Sequence, residues 1–261
     1  MRAILQARMA STRLPGKVLM PVLGRPILSY NIERIRRAET IDHIIVATTR
    51  NAEDDAIERI CELEGVAVFR GHDVDVLDRI YRCMEQHRID VCAKFTADNP
   101  LIDPSVIDHV VQFYLDHASD YDYVSNNHPP TWQDGQEIEI IPFRVVEMAW
   151  KDARKAFQRE HVTPFVWDQP KRFRVGNVAR NDDRWYREYR WTLDYPEDYT
   201  FVKSVLEELY PIKPDFNTHD IMSLVERRPD IHALNAGRAG IVWYRECYDS
   251  LRTIHSKFLD R

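Results

Sequence analysis

Short apolar runs alternate with amphipathic stretches through the first half of this chain, and that rhythm restricts its fold more than any other feature. Ala3-Ile4-Leu5-Gln6-Ala7 reads as a buried strand that runs into a polar loop, residues 8–17. Pro26 opens a helical pattern with Ile27, Leu28, Ile32 and Ile35 along it. Residues 43–48 form a second strand, 53–64 a helix stopped by Gly65, and 66–69 a third strand. A helix over 75–87, a strand over 90–95, a helix from Pro104 to His117 and a strand over 121–125 continue the series. This order predicts an α/β fold of three layers, with a mostly parallel central sheet covered by helices on both faces. Ligands of such sheets bind beyond the carboxyl ends of the strands. The loops 8–17, 48–50, 70–73 and 96–98 are therefore expected to line one crevice.

Beyond residue 130 the rhythm changes. Residues 137–141 alternate and read as a strand with one polar face, and Pro142 starts a helix. Residues 173–175 and 189–193 are further strand candidates, 195–209 is helical, and 217–261 reads as a helical tail broken at Pro229. No repeat, low-complexity tract or long linker interrupts the chain, which favours one compact domain with a helical tail.

Composition removes several classes of function. At 261 residues, 44% hydrophobic and 30% charged, the chain is long enough for a full core and is not a disordered polymer. No apolar run approaches the roughly 20 residues of a membrane span. Arg8, Arg13 and Lys17 stand where a signal peptide would be apolar, so a cytoplasmic protein is expected. Cys61, Cys83, Cys92 and Cys247 show neither C-x-x-C nor zinc-like spacing and read as reduced buried thiols. A net charge of −6 argues against a nucleic-acid partner. With 8 glycines and no G-x-G-x-x-G or P-loop motif, dinucleotide-binding and P-loop readings lose their support.

The charge is uneven, however. Residues 1–37 carry eight basic side chains against the single acid Glu33, which points to a local anionic partner. Arg34, Arg36 and Arg37 also fit a solvated helix face. The loop Ala7-Arg8-Met9-Ala10-Ser11-Thr12-Arg13-Leu14-Pro15-Gly16-Lys17 offers two guanidiniums, an ammonium, hydroxyls and backbone N–H groups. That set suits a polyphosphate, and Gly16 allows close backbone approach and positive φ. Two carboxylates share a context: Asp98 in F-T-A-D-N-P and Asp194 in W-T-L-D-Y-P each end an extended run before a proline. Facing one crevice, they would hold Mg²⁺ together with substrate phosphates. The competing reading makes them helix N-caps, with Asp98 or Asp103 before one helix and Asp194 before the next.

With these residues in view, the chain resembles the CMP-sugar synthetases and related cytidylyltransferases, most closely the branch of spore coat polysaccharide biosynthesis proteins. The resembling stretches are ARMASTRLPGKVL (7–19), HIIVATTRNAEDDAI (43–57), VFRGHDVDVLDRIY (68–81), FTADNPLIDP (95–104), DYVSNN (122–127), REHVTPF (159–165) and RWTLDYPEDY (190–199). The resemblance implies a nucleotidyltransferase (GT-A-like) fold over residues 1–210, with 211–261 as a helical C-terminal extension packed on the same domain. It implies a cytidylyltransferase that uses CTP and Mg²⁺ to transfer CMP to a small acidic acceptor, and it implies a homodimer. Arg8, Lys17, Asp98 and Asp194 would be catalytic, the two aspartates as metal ligands. Ser11, Arg13 and Gly16 would assist on the triphosphate, and Ala7, Thr48, Arg70 and Asp73 would border the nucleoside. Ala10 stands where many relatives carry Gly, and Glu137 where Asp is common.

For the acceptor, Arg159, His161 and Arg190 would attract an acid, and Glu137 and Glu139 would take hydroxyls. His161 also fits a capping or core role, and Arg190 an ion pair with Glu188 or Asp194. His219, His232, His255, Trp243 and Tyr244 read as packing residues. A metal-dependent glycosyltransferase is the second reading, through D-x-D at Asp73-Val74-Asp75 or Asp120-Tyr121-Asp122. A non-catalytic nucleotide-binding protein is the third.

Overall fold

The strand β1 (Arg2–Gln6) sends Ala3 and Leu5 to one side and Ile4 to the other, and this alternation divides the molecule into layers. A computed structural model describes residues 1–240 and 248–254. Along the chain β1 is followed by a small hairpin, β2 (Pro21–Val22) and β3 (Arg25–Pro26), and then by β4 (His43–Thr49), β5 (Ala67–Gly71) and β6 (Val91–Thr96). The later strands are β7 (Tyr123–Ser125), β8 (Glu139–Pro142) and β9 (Val175–Asn177). Among the described residues seven of these form one sheet, in the order β5-β4-β1-β6-β8-β7-β9. Only β8 runs against its neighbours, pairing antiparallel with β6 and β7.

On one face α1 (Ile27–Arg36), α2 (Asp55–Glu64) and α4 (Pro104–Asp116) bury Leu28, Ile32, Ile57, Cys61, Ile107 and Val110 against Ala3, Leu5, Val46 and Phe95. On the other, α3 (Val76–His87), α5 (Phe143–Asp152), α6 (Ala156–His161) and α7 (Pro164–Trp167) cover Ile4, Ile45, Ala47 and Cys92. Local signals set the boundaries. Gly65 closes α2 at φ 66°, and Asp75 and Asp103 cap α3 and α4 by accepting from the amides of Asp78 and Ser105.

A third apolar cluster joins α1 to the far end of the chain. After α8 (Arg184–Glu188), Trp191 and Leu193 meet Phe201, Val205 and Leu206 of α9 (Pro196–Leu209), and α10 (Thr218–Arg227) and α11 (Pro229–Ala233) add Ile221, Leu224 and Ile231. Residues on both sides of position 210 thus share one core. No helix among the described residues is long and apolar enough to cross a membrane.

Two expectations need correction, and some short elements were not foreseen. Residues 189–193 do not form a strand; an isolated bridge from Arg190 to Asp134 is all the pairing they make. The amides of Trp191 and Leu193 are spent on single carbonyls of two other loops, those of Asp134 and Asp98, so no ladder extends. The short helices α6, α7 and α8 and the β2–β3 hairpin carry too little periodicity to be read from sequence. The described part of the tail is helical only in pieces, the last a short turn at Tyr248–Ser250. Cys61, Cys83 and Cys92 are buried free thiols, and burial pushes those of Cys61 and Cys83 up to about 12. Cys247, Trp243, Tyr244 and His255 lie outside the described residues.

Candidate active site

A cleft of about 570 Å³ opens beyond the carboxyl ends of β1 and β6. The first loop forms one wall. It folds back on itself: the amides of Ser11 and Gly16 both donate to the Met9 carbonyl, and the Met9 amide donates to Asp54 Oδ1 at 2.7 Å. Gly16 sits at φ 71°, the left-handed conformation that turns the chain into Lys17. Ala10 is not among the described residues with positive φ, so it fits this loop without strain.

Lys17 is the centre of the arrangement. Its Nζ reaches Asp194 Oδ1 at 2.8 Å, Asp98 Oδ2 at 3.3 Å and the Leu193 carbonyl at 2.7 Å. The Arg13 guanidinium meets the same Asp194 oxygen at 2.8 Å. The two aspartates, 96 positions apart in the chain, converge because their backbones are joined. The Leu193 amide donates to the Asp98 carbonyl at 2.7 Å, and the Thr192 hydroxyl donates to it as well. Gly135 makes that crossing possible, since a Cβ there would lie 2.7 Å from the Trp191 carbonyl carbon. Neither aspartate is a helix cap: Asp103 caps α4, and Asp198 reaches back to the amides of Asp194 and Tyr195.

The electrostatics follow from burial and pairing. Burial alone would lower the Lys17 pKa, but Asp98 and Asp194 outweigh it and leave it raised. Burial alone would raise that of Asp194, but Lys17 and Arg13 pull it down to about 2. Arg190 is 4% exposed and grips Asp198 twice, Asp134 at 2.5 Å and Asp194 at 3.3 Å. Burial lifts Asp134 to about 6 despite Arg190, and lifts Glu137 well above the usual carboxylate range, with Asp134 adding repulsion. Glu137 accepts from Asn99 Nδ2 at 2.8 Å and from the Gly135 amide.

At the far side of the cleft Lys94 of β6 pairs with Glu139 Oε2 at 2.5 Å. The other Glu139 oxygen takes the Tyr123 hydroxyl at 2.7 Å and the Thr163 hydroxyl. Burial and the nearby Lys94 lower the His161 pKa to about 4, so its ring is neutral at pH 7. Arg8, Ala7, Ser11, Glu137, Glu139, His161 and Arg190 all line the cleft.

Other expected residues lie elsewhere. Thr48 is fully buried in β4. Arg70 is held by Asp55 at 2.5 Å, Glu58 at 2.9 Å and two carbonyls, and Asp73 accepts from the Arg50 amide. The reason is sheet order: β4 and β5 are the two strands at one edge, and the cleft opens over β1, β6 and β8. Arg159 binds Asp75 and the Trp150 carbonyl, which fastens α6 to α3 and takes its guanidinium out of the cleft. Arg190 serves the ion-pair role, tied to Asp194 and two further acids. Neither D-x-D pair lines the cleft; Asp75 caps α3, and Asp122 is held by Arg144 and Arg174.

Sequence reasoning missed Lys94 and Arg79 of the cleft wall. Each had a signal, a lone cation inside an apolar strand run or on the apolar stripe of a helix. Among the described residues no group of three or more His, Cys, Asp or Glu could hold a metal ion. Asp98 and Asp194, which meet at Lys17, are a pair of carboxylates, a donor set that could hold Mg²⁺ beside phosphate oxygens.

Known proteins match this chain over nearly its whole length. The spore coat polysaccharide biosynthesis protein SpsF of Bacillus subtilis is 32% identical over 231 residues, covering 87% of this chain and 94% of that protein. A cytidylyltransferase structure from Leptospira borgpetersenii superposes with a TM-score of 0.83 at 31% identity, covering 88% of this chain and 95% of that one. The 3-deoxy-manno-octulosonate cytidylyltransferase of Zea mays is 35% identical over a shorter stretch, 41% of this chain and 36% of that protein. A sequence profile of the cytidylyltransferases matches residues 2–226, a span that holds the Lys17 loop, both aspartates and the helices behind them. The chain belongs to the cytidylyltransferase family and is a CTP-dependent nucleotidyltransferase.

Proposed function

We propose that this enzyme transfers the cytidylyl group of CTP to a small acidic acceptor, a sugar acid or a phosphorylated acid, in the synthesis of a surface polysaccharide or glycoconjugate. The observation that carries the reading is the meeting of Lys17, Arg13, Asp98 and Asp194 at one wall of the cleft. The names of two relatives point the same way, one for spore coat polysaccharide and one for a sugar acid.

An acceptor oxygen attacks the α-phosphorus, the bond to the β-phosphate breaks, pyrophosphate leaves, and the acceptor proton passes to water. Catalysis of this kind is positioning and electrostatics, with no nucleophilic side chain required. Arg8 and Arg13 bind phosphate oxygens through their forks. Lys17 holds the two aspartates in register and supplies positive charge beside the leaving group. Asp98 and Asp194 fit Mg²⁺, which when bound would neutralise charge on the phosphates. On the acceptor side the neutral His161 and the buried carboxyl of Glu137 line the cleft and give hydrogen bonds to the acceptor. Glu139 is saturated by three donors, so its part is to hold Lys94 in place.

The test is pyrophosphate release with each nucleoside triphosphate, Mg²⁺ and a set of sugar acids and small phosphorylated acids. Release with CTP that depends on one acidic acceptor is the expected result. Release with neutral sugars alone would overturn the acidic-acceptor reading.

A further inference from the structure

Three arginines are buried to the same degree, and one of them is unlike the others. Arg34, 3% exposed, donates to the carbonyls of Ile102 and Phe216, and Arg190 grips three carboxylates. Arg79 of α3 is 2% exposed, yet among the described residues neither its Nε nor its Nη1 has a hydrogen-bond partner. It forms no ion pair with any described residue. The acids around it are engaged: Asp54 with the amides of Met9 and Thr49, Asp73 with the Arg50 amide, and Asp75 with Arg159 and the Asp78 amide. The cationic neighbour is Arg8, from the first loop.

An unpaired guanidinium in the interior is strongly destabilising, and proteins keep such groups where function uses them. Arg79 lines the wall of the cleft, together with Arg8, Ala7 and Val76. The fold makes room for it there. A Cβ on Gly71 would lie 2.8 Å from Arg79 Cγ, so glycine is what lets the side chain pass. Burial and then Arg8 lower its pKa to about 10, which leaves it charged at neutral pH.

We propose that Arg79, with Arg8 beside it, is an oxyanion receptor in the inner wall of the cleft that takes a phosphoryl or carboxylate group of a substrate. It is separate from the Lys17 cluster. A guanidinium fork matches two oxygens of such a group, and a second arginine completes the charge. The proposal rests on the cytidylyltransferase reading only for what brings the oxyanion, the nucleotide or the acceptor.

The experiment compares the full chain with Arg79→Met and Arg79→Lys by thermal melting and by calorimetric titration with CTP, pyrophosphate and 3-deoxy-manno-octulosonate. Arg79→Met should melt at or above the wild-type temperature, because an unpaired charge has left the interior. It should bind one class of ligand about tenfold more weakly or worse, and Arg79→Lys should recover part of that loss. Weaker CTP and pyrophosphate assigns the oxyanion to the nucleotide; weaker sugar acid assigns it to the acceptor. Gly71→Ala, which displaces the arginine stem, should weaken the same ligand. Unchanged affinity for all three ligands, or an Arg79→Met protein that melts several degrees lower, overturns the proposal. None of these readouts needs turnover, so a failure of the CTP reaction would be seen separately, as absent pyrophosphate release by the wild type.

Discussion

Two buried lysines line the same cleft, and their surroundings are built on opposite plans. Lys17 faces two carboxylates, and the side chains of Asp98 and Asp194 remain 29% and 16% exposed. Lys94 faces one carboxylate, and both Glu139 oxygens are already taken, one by the lysine and the other by two hydroxyls. In the first cluster Asp194 is met by Lys17, Arg13 and Arg190, and one oxygen of the part-exposed Asp98 has no partner among the described residues and stays open to a ligand. The second is neutral and closed. The same residue type at similar depth therefore does different work, and what separates them is how many carboxylate oxygens are left over. An open cluster can exchange partners when substrate arrives; a closed one can only hold its lysine still.

Breaking the open cluster should have the largest effect on turnover and little on folding. Asp98→Asn and Lys17→Met should each lower the rate of pyrophosphate release by about 10²–10³-fold, with a circular-dichroism spectrum like that of the wild type. A Lys17→Met enzyme that keeps normal turnover would remove Lys17 from the chemistry. Breaking the closed cluster should act on stability first. Glu139→Gln leaves Lys94 buried without its counter-charge and should cost about 3–5 kcal/mol, seen as a drop in Tm on the order of 10 °C. Adding Lys94→Met to Glu139→Gln should restore most of it, since the uncompensated charge is gone. A double variant no more stable than Glu139→Gln would show that the pair is not what holds this wall.

Acid should separate the clusters further. The Asp194 pKa is depressed to about 2 in the folded protein, chiefly because Lys17 and Arg13 outweigh the opposing effect of burial. A depressed carboxylate stabilises the fold above its unfolded pKa, near 4, and that contribution is lost as pH falls through about 2. Its size is about 2 kcal/mol. Urea unfolding of wild type and Asp194→Asn between pH 2 and 6 should show a difference in stability that closes at the acid end. A difference that stays constant with pH would mean the aspartate is not ion-paired. The smallest effect is expected at Arg159, whose guanidinium is bound to Asp75. Arg159→Ala should change stability by no more than about 1 kcal/mol and leave the acceptor KM unaltered. A tenfold rise in that KM would put Arg159 back in the cleft.

The regular part of the fold was legible because its signals are local. The apolar run at Ile4-Leu5, the caps Asp75 and Asp103, Pro104 at a helix start and Gly65 at a helix end each act within a few residues. The stretch 189–193 misled because its β-branched and aromatic side chains look like a strand, while its backbone partners lie in loops around Asp98 and Asp134. Those partners are separated from it by more than fifty positions, and no pattern within the stretch records them. The site was legible in part for the same reason. The cationic loop and the matching contexts of Asp98 and Asp194 are readable as residue types in place, whereas Arg70 and Arg159 look equally available until their carboxylate partners are seen.

By itself the sequence determined the layers, the loop that follows β1 and the kinds of side chain on hand for phosphate and metal. Periodicity and turn chemistry are short-range properties, and a chain carries them in its order of residues. Tertiary structure alone decided which charges cancel. It joined Asp98 to Leu193, set Lys17 between two acids, closed Glu139 around Lys94 and left Arg79 without a partner among the described residues. Whether a buried charge is neutralised or waiting depends on distances of a few ångströms between residues that are far apart in the chain, because Coulomb attraction and hydrogen bonding act through space.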